Sequence, residues 1–185
     1  MASGNFIHLL RHGQYVRDPD RDDGPLTTVG RRQARRAAAR LCECRVARLY
    51  SSDLQRARET AEVLAGRLPE ISVTALPILR EMLPTRVPGL HVPLQKRRHA
   101  QQRIDELIVR FFSRPPRLGD TVVVCHGNLI RALLCRMLGM PKTRWRELGT
   151  LNCSITSFSF SKSGQVRLQC FNDSGHLPEK LRTST

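Results

Sequence analysis

The chain has 185 residues and a formal net charge of +15, from 31 lysines and arginines against 16 aspartates and glutamates. That length suits one domain, residues 1–185, able to bury about 70% of the surface its unfolded form exposes, so no stapling by metal or disulfide is required. No segment approaches the ~18 consecutive apolar residues of a membrane span, and the positive field draws anions without choosing among them.

The first strand is predicted over roughly Asn5 to Leu10, a short apolar run that leads directly into Arg11, unlike a signal peptide. The segment from Asp18 to Pro25 is polar and turn-rich. Thr27 then reads as a helix N-cap, followed by an apolar stripe of Val29, Ala34, Ala37, Ala38 and Leu41 with arginines on the other face. A second strand is expected over Val46 to Tyr50. Ser51-Ser52-Asp53 reads as the cap of a second helix, with Leu54, Ala57, Ala61, Leu64 and Leu68 as its buried face.

A short strand, Ile71 to Leu76, precedes Pro77-Ile78-Leu79-Arg80-Glu81, and Met82 to Pro93 reads as irregular. A helix is expected from about Leu94 to Phe112, broken by Pro115-Pro116. The β-branched run Thr121 to Cys125 reads as a central strand covered on both faces. A helix over Leu129 to Leu138 and two strands, Ser154 to Phe160 and Gln165 to Phe171, complete the pattern, the strands joined by a hairpin turn at Ser161–Gly164. The tail from Asp173 to Thr185 is polar and either packs or frays. Alternating strands and helices predict an α/β fold, a three-layer α/β/α sandwich around a mostly parallel sheet.

The six cysteines are scattered among mostly apolar neighbours, without C-x-x-C pairs, as expected of reduced thiols in a cytoplasmic protein. Arg31-Arg32 with Arg35-Arg36, and Lys96-Arg97-Arg98, lie in predicted helices without interleaved aromatics. They read as solvated faces, and no specific nucleic-acid site is expected.

Chemistry concentrates where the strands end. Arg11-His12-Gly13 closes the first strand, and Cys125-His126-Gly127-Asn128 closes the central one. Two histidines directly after two parallel strands meet at the carboxyl edge of the sheet, where open α/β sheets bind ligands. A cation, an imidazole and a residue without a side chain are what phosphoryl transfer through nitrogen requires. Arg56 falls in the first turn of the second helix, where a cation loses about 0.3–1 kcal/mol unless an anion binds there. Arg58 points about 200° away around the same axis and reads as solvent-facing. Glu81 follows a strand that ends at the same edge. By position alone it is as readily a surface glutamate as a proton donor.

The motifs Arg11-His12-Gly13, Ser52 to Ala61 (SDLQRARETA), Leu79-Arg80-Glu81 and Cys125-His126-Gly127-Asn128, in that order, resemble those of the histidine phosphatase superfamily, phosphoglycerate-mutase-like branch. Leu26 to Ala34 is similar to that branch's first-helix signature. The resemblance spans almost the whole chain. It implies a hydrolase of phosphate monoesters with His12 as nucleophile, Glu81 as proton donor and then base, and Arg11, Arg56 and His126 as the phosphate pocket. Gly13 would give the oxygens room, and Asn128 would orient a substrate oxygen. The resemblance implies neither metal nor cofactor. His8, His91, His99 and His176 lack metal-ligand spacing and read as structural or surface residues.

Leu79 to Pro84 lacks the Trp-Glu-Gly continuation expected of many small-molecule members. Arg11 to Tyr15, Asn128 to Arg131, Trp145, Asn152 to Thr156 and Asp173 to Pro178 instead resemble the serine/threonine protein phosphatases of the family, and a relative without their membrane anchor is expected. In the family a long insertion helps cage a mutase intermediate, and the gap between Glu81 and His126 here holds only one irregular stretch and one helix, so the resemblance argues against a mutase. A phosphoprotein substrate is therefore expected, with a phosphometabolite as the alternative and a non-catalytic phosphoprotein- or nucleic-acid-binding module as the alternative of another class. A homodimer is compatible with the sequence but not required by it.

Overall fold

A computed structural model describes residues 5–18, 20, 22–68 and 70–184. Six strands form one sheet in the order β3-β2-β4-β1-β5-β6: β1 (Phe6–Arg11), β2 (Val46–Ser51), β3 (Val73–Ala75), β4 (Asp120–Cys125), β5 (Ile155–Phe160) and β6 (Val166–Asp173). The pairs β3–β2, β2–β4 and β4–β1 are parallel, whereas β5 and β6 add on antiparallel, so the sheet is mixed. Helices α1 (Thr28–Leu41) and α2 (Gln55–Ala65) pack on one face, and α3 (Leu94–Phe112) and α4 (Gly127–Met137) on the other. Ile7 and Leu9 of β1 point into the α3/α4 core and Leu10 into the α1/α2 core, the period-two alternation that a sheet covered on both sides demands. No helix among the described residues is long and apolar enough to cross a membrane.

The Thr27 hydroxyl accepts from the Gly30 N–H at 2.9 Å, as expected for the α1 N-cap. Gln33, Ala34, Ala37, Ala38 and Leu41 are buried while Arg31, Arg32, Arg35 and Arg36 face solvent. The start of α2 differs from expectation. Ser51 is the last residue of β2, the N-cap position falls on Leu54, and Leu54 makes no side-chain cap bond. The cap comes instead from the loop before α1, because the Asp23 carboxylate accepts from the Gln55 N–H at 2.7 Å. Asp53 is engaged elsewhere, in a two-bond pair with Arg80 at 2.8 and 2.7 Å. The helix ends at Ala65, so Leu68 lies beyond it.

In the loop before α1, Pro19 and Arg21 fall outside the described residues, as does Thr185 at the end of the tail. The third strand is shorter than expected, and α4 begins at Gly127 because His126 is still extended at its N-cap. Residues 82–93 contain no helix or strand, with an isolated Val87–Leu90 bridge closing a turn on Gly89 at φ +75°. The hairpin forms at Ser161–Gly164, where Ser161 N–H donates to the Gln165 carbonyl at 2.8 Å. The tail packs: Leu177 and Leu181 are buried against the α1/α2 core. Gln33 Nε2 donates to the Leu181 carbonyl at 2.7 Å and to Thr183 Oγ1 at 2.8 Å.

Candidate active site

The pairing of β1 with β4 sets Arg11 opposite Cys125, so His12 and His126 leave the sheet side by side. The His12 N–H donates to the Cys125 carbonyl at 3.0 Å, and the two imidazole centroids lie 5.0 Å apart. His12 is buried. Its Nδ1 lies 2.8 Å from the Gly13 carbonyl, which can only accept, so Nδ1 carries the proton and Nε2 a lone pair. Burial, then the charges of Arg11 and Arg56, push the His12 pKa well down, while the Gly13 carbonyl opposes them. The imidazole is therefore held neutral, with the Nε2 lone pair turned to Arg56 Nε.

Arg56 is only 2% exposed, in the first turn of α2. Its Nη1 donates to the Asp22 carbonyl at 2.8 Å and to Asp23 at 2.9 Å, its Nε faces His12 Nε2 at 3.3 Å, and its guanidinium lies 4.6 Å from the Tyr15 ring centroid. Asp23 thus supplies the anion that this helix end requires and holds the fork in place. Arg11 donates through Nη1 to the Thr150 carbonyl at 2.6 Å. Burial lowers its pKa, against the opposing charge of Glu81. A Cβ on Gly127 would stand 2.8 Å from Thr150 Oγ1 and 3.3 Å from Arg11 Nε, so glycine there makes room for this arginine.

Gly13 has a packing role besides the expected one. The space left by its missing side chain is filled by α1, since a Cβ would lie 2.7 Å from the Gly30 carbonyl oxygen. Its N–H is committed to Thr60 Oγ1 at 3.0 Å. Gly13 sets the approach of the end of β1 to α1.

Glu81 follows a 3₁₀ turn at Pro77–Leu79. Its carboxylate accepts from Met82 N–H at 3.1 Å and faces Asn128 N–H, in the first turn of α4, at 3.5 Å. Burial pushes the carboxyl pKa up, outweighing those amides and the charges of Arg11 and Arg56. The Asn128 side-chain oxygen accepts from Arg131, so its amide nitrogen is the end left for a ligand. His126 is fully buried, and neither ring nitrogen has a hydrogen-bond partner among the described residues. Burial, then His12, Arg56 and Arg11, push its pKa well down. Unpartnered polar atoms at the base of a cationic pocket are the mark of a ligand site. Burial also pushes the Cys125 and Cys153 thiols up, so neither competes as a nucleophile.

Above this base opens a cleft of about 690 Å³, lined by Arg11, His12, Arg56, Glu81 and Asn128 together with Arg17, Lys96 and Arg103. His91 and His99, expected as structural or surface residues, are exposed at this mouth. Among the described residues no set of metal ligands converges in the cleft. Asp23, Thr150 and Arg103 carry no local signal in the sequence, and Tyr15 entered only through the resemblance of Arg11 to Tyr15. Arg103 looks like one more arginine on a helix, yet its Nη2 donates to the carbonyls of Ile78 at 2.7 Å and Arg80 at 2.6 Å and so anchors the segment bearing Glu81. Arg58 is exposed, as its angle around α2 predicts.

The chain is 34% identical to the mitochondrial serine/threonine-protein phosphatase Pgam5 of Drosophila grimshawi over 191 residues, covering 96% of this chain and 66% of that protein. It thus spans just under two thirds of the length of that relative. Among solved structures it is similar to a mycobacterial glucosyl-3-phosphoglycerate phosphatase, at 28% identity and a TM-score of 0.74, covering 92% of this chain and 99% of that one. A Plasmodium falciparum phosphoglycerate mutase matches at 30% identity and a TM-score of 0.67, covering 94% and 95%. The family model for the histidine phosphatase superfamily (branch 1) matches residues 7–103 and 84–174, and the chain belongs to that family.

Proposed function

We propose that this protein hydrolyses phosphate monoesters without metal, through a phosphohistidine at His12. The observation that carries this reading is the buried, neutral His12 with its Nε2 lone pair, set between two buried arginines and beside the unpartnered His126. The phosphoryl group docks on Arg11, Arg56 and His126, and Nε2 attacks phosphorus in line with the ester oxygen. As the N–P bond forms and the P–O bond breaks, Glu81 gives its proton to the departing alkoxide. The Glu81 carboxylate then takes a proton from water. The oxygen of that water attacks phosphorus, the N–P bond breaks, and inorganic phosphate leaves with neutral His12 restored. Two guanidinium groups supply the charge that Mg²⁺ supplies in many phosphoryl transfers, and the raised pKa of Glu81 fits both of its steps.

For substrate, phosphoserine or phosphothreonine in a protein is favoured by the likeness to Pgam5 and by the open, cationic mouth. A phosphometabolite is the second reading, favoured by the likeness to a glucosyl-3-phosphoglycerate phosphatase. The test is phosphate release from p-nitrophenyl phosphate with chelator present, then kcat/KM across phosphopeptides and sugar phosphates. His12→Ala should abolish turnover, and acid-labile phosphate should be trapped on the wild-type protein. Full activity in His12→Ala would overturn the mechanism. Phosphopeptide binding with no turnover in the wild type would instead mark a binding module, and a preference for sugar phosphates the second reading.

A further inference from the structure

At the amino ends of β1 and β4, the edge of the sheet opposite the cleft, His8, Cys44 and Asp120 bring one ligand atom each to within 4.8 Å of one another. They come from three separate parts of the chain: the third residue of β1, the turn between α1 and β2, and the first residue of β4. His8 shares its face of β1 with Leu10, beneath α1, about 13 Å along the strand from His12.

The surroundings of these groups are arranged as a ligand set. His8 is 6% exposed and Asp120 7% exposed. His8 Nδ1 pairs with Ser157 Oγ at 2.8 Å, which leaves Nε2 to face Asp120 Oδ2 at 3.6 Å. That separation is too long for a hydrogen bond, and His8 Nε2 has no hydrogen-bond partner among the described residues. The other carboxylate oxygen, Asp120 Oδ1, is fixed by the Phe6 N–H at 2.7 Å. Both the histidine and the carboxylate are thus oriented from behind by a hydrogen bond, as metal ligands commonly are. In a tetrahedral zinc site, bonds of about 2.0–2.2 Å place neighbouring nitrogen and oxygen ligands about 3.3–3.5 Å apart. The His8–Asp120 separation of 3.6 Å is slightly longer, so a small approach of the two side chains would close it.

We propose that His8 Nε2, Cys44 Sγ and Asp120 Oδ2 bind a thiophilic divalent cation of the zinc class, with a fourth position left to water. Binding releases the Cys44 thiol proton, and the resulting thiolate and the Asp120 carboxylate neutralise the ion in a largely buried place. Metal binding also displaces the Nε2 proton of His8, which, against burial, Asp120 and Cys44 favour, so His8 contributes its Nε2 lone pair while Nδ1–H donates to Ser157. Cys42 is outside the set, because its sulfur contacts the Arg67 carbonyl at 3.5 Å. The ion ties the α1–β2 turn to β1 and β4 and acts on stability, apart from the chemistry at His12.

The test is titration of the metal-free full chain with Co²⁺, followed by absorbance, and with Zn²⁺, followed by the thermal midpoint. One equivalent of Co²⁺ should give a thiolate-to-cobalt charge-transfer band that Zn²⁺ displaces. The band should vanish in Cys44→Ser and persist in Cys42→Ser and His12→Ala. Zn²⁺ should raise the midpoint of the wild type and not that of Cys44→Ser. Cys44 is only half-buried, and unchanged circular dichroism of its variant ties the lost band to a lost ligand. Absence of both the band and the midpoint shift in the wild type would overturn the proposal, leaving a plain His8–Asp120 ion pair. A band that survives in Cys44→Ser would overturn it equally, by placing the metal elsewhere.

Discussion

The Nε–H of Arg56 donates to His12 Nε2 across 3.3 Å, so a cation of the proposed phosphate pocket also opposes protonation of the proposed nucleophile. Burial depresses the His12 pKa most, and Arg11 and Arg56 depress it further. Removing Arg56 should therefore raise the His12 pKa and move the acid limb of kcat/KM to higher pH, because protonated His12 cannot attack. Arg56→Ala is expected to lower kcat/KM by about 10²–10³-fold at neutral pH. Steady-state kinetics across pH checks both effects, and an unmoved acid limb would separate Arg56 from the ionisation of His12.

The alkaline side of the profile should belong to Glu81. Its carboxyl pKa is raised by burial, so the protonated acid persists to higher pH than in a solvated glutamate. As pH rises through that pKa, the donor is lost and the first step slows. Glu81→Gln should lower kcat/KM, which reports only the steps up to the phosphoenzyme, by about 10²–10⁴-fold for phosphoserine peptides, whose alkoxide leaves poorly without a proton. The loss should be far smaller for p-nitrophenyl phosphate, whose phenolate leaves unaided. Equal losses on the two substrates would remove Glu81 from the role of acid.

Asp23 links the stability of α2 to the site. Burial alone would raise its carboxyl pKa, but the Gln55 and Gly24 amides and the Arg56 charge outweigh burial and hold it below the usual value. A depressed folded-state pKa contributes stability above the unfolded pKa, and this is lost as pH falls through the folded value. Asp23→Ala should cost about 1 kcal/mol in urea unfolding at neutral pH, as loss of a cap does. The gap from wild type should close in acid. The variant should also raise KM, because Arg56 loses one of its two anchors in the loop before α1.

What the sequence could reveal divides along a physical line. His12 and His126 stand out because each follows an apolar β run directly, and parallel pairing fixes where strand ends go. Arg56 stands out because a cation at a helix N-terminus needs an anion. The anion already present, Asp23, is invisible, since it reaches α2 through tertiary folding from a loop 33 positions earlier. The local serines and Asp53 offered a plausible cap in its place. Gly13 was legible as room beside His12, but only the fold shows that Gly30 of α1 packs against it. His8, Cys44 and Asp120 meet through strand register, to which spacing rules for metal ligands are blind.

The tail supplies a further case of support from a distance. Asn152 Nδ2 donates to the His12 carbonyl at 3.2 Å, while Asn152 Oδ1 accepts from Thr183 Oγ1 at 2.9 Å. Thr183 Oγ1 also accepts from Gln33 Nε2, and Gln33 Oε1 in turn accepts from the Gln14 N–H at 2.8 Å. Residues 12 and 14 are therefore held through one hydroxyl near the end of the chain. Thr183→Val keeps the shape and removes the hydroxyl, so the bonds from Gln33 Nε2 and to Asn152 Oδ1 are lost, at a cost of about 1–3 kcal/mol. Thr183→Ser retains the hydroxyl and should restore most of that loss. If the network also positions His12, Thr183→Val should lower kcat more than it raises KM, with the serine variant recovering both. Unfolding midpoints alongside steady-state kinetics on the two variants separate the contributions, and a midpoint shift with unchanged kcat would confine Thr183 to stability.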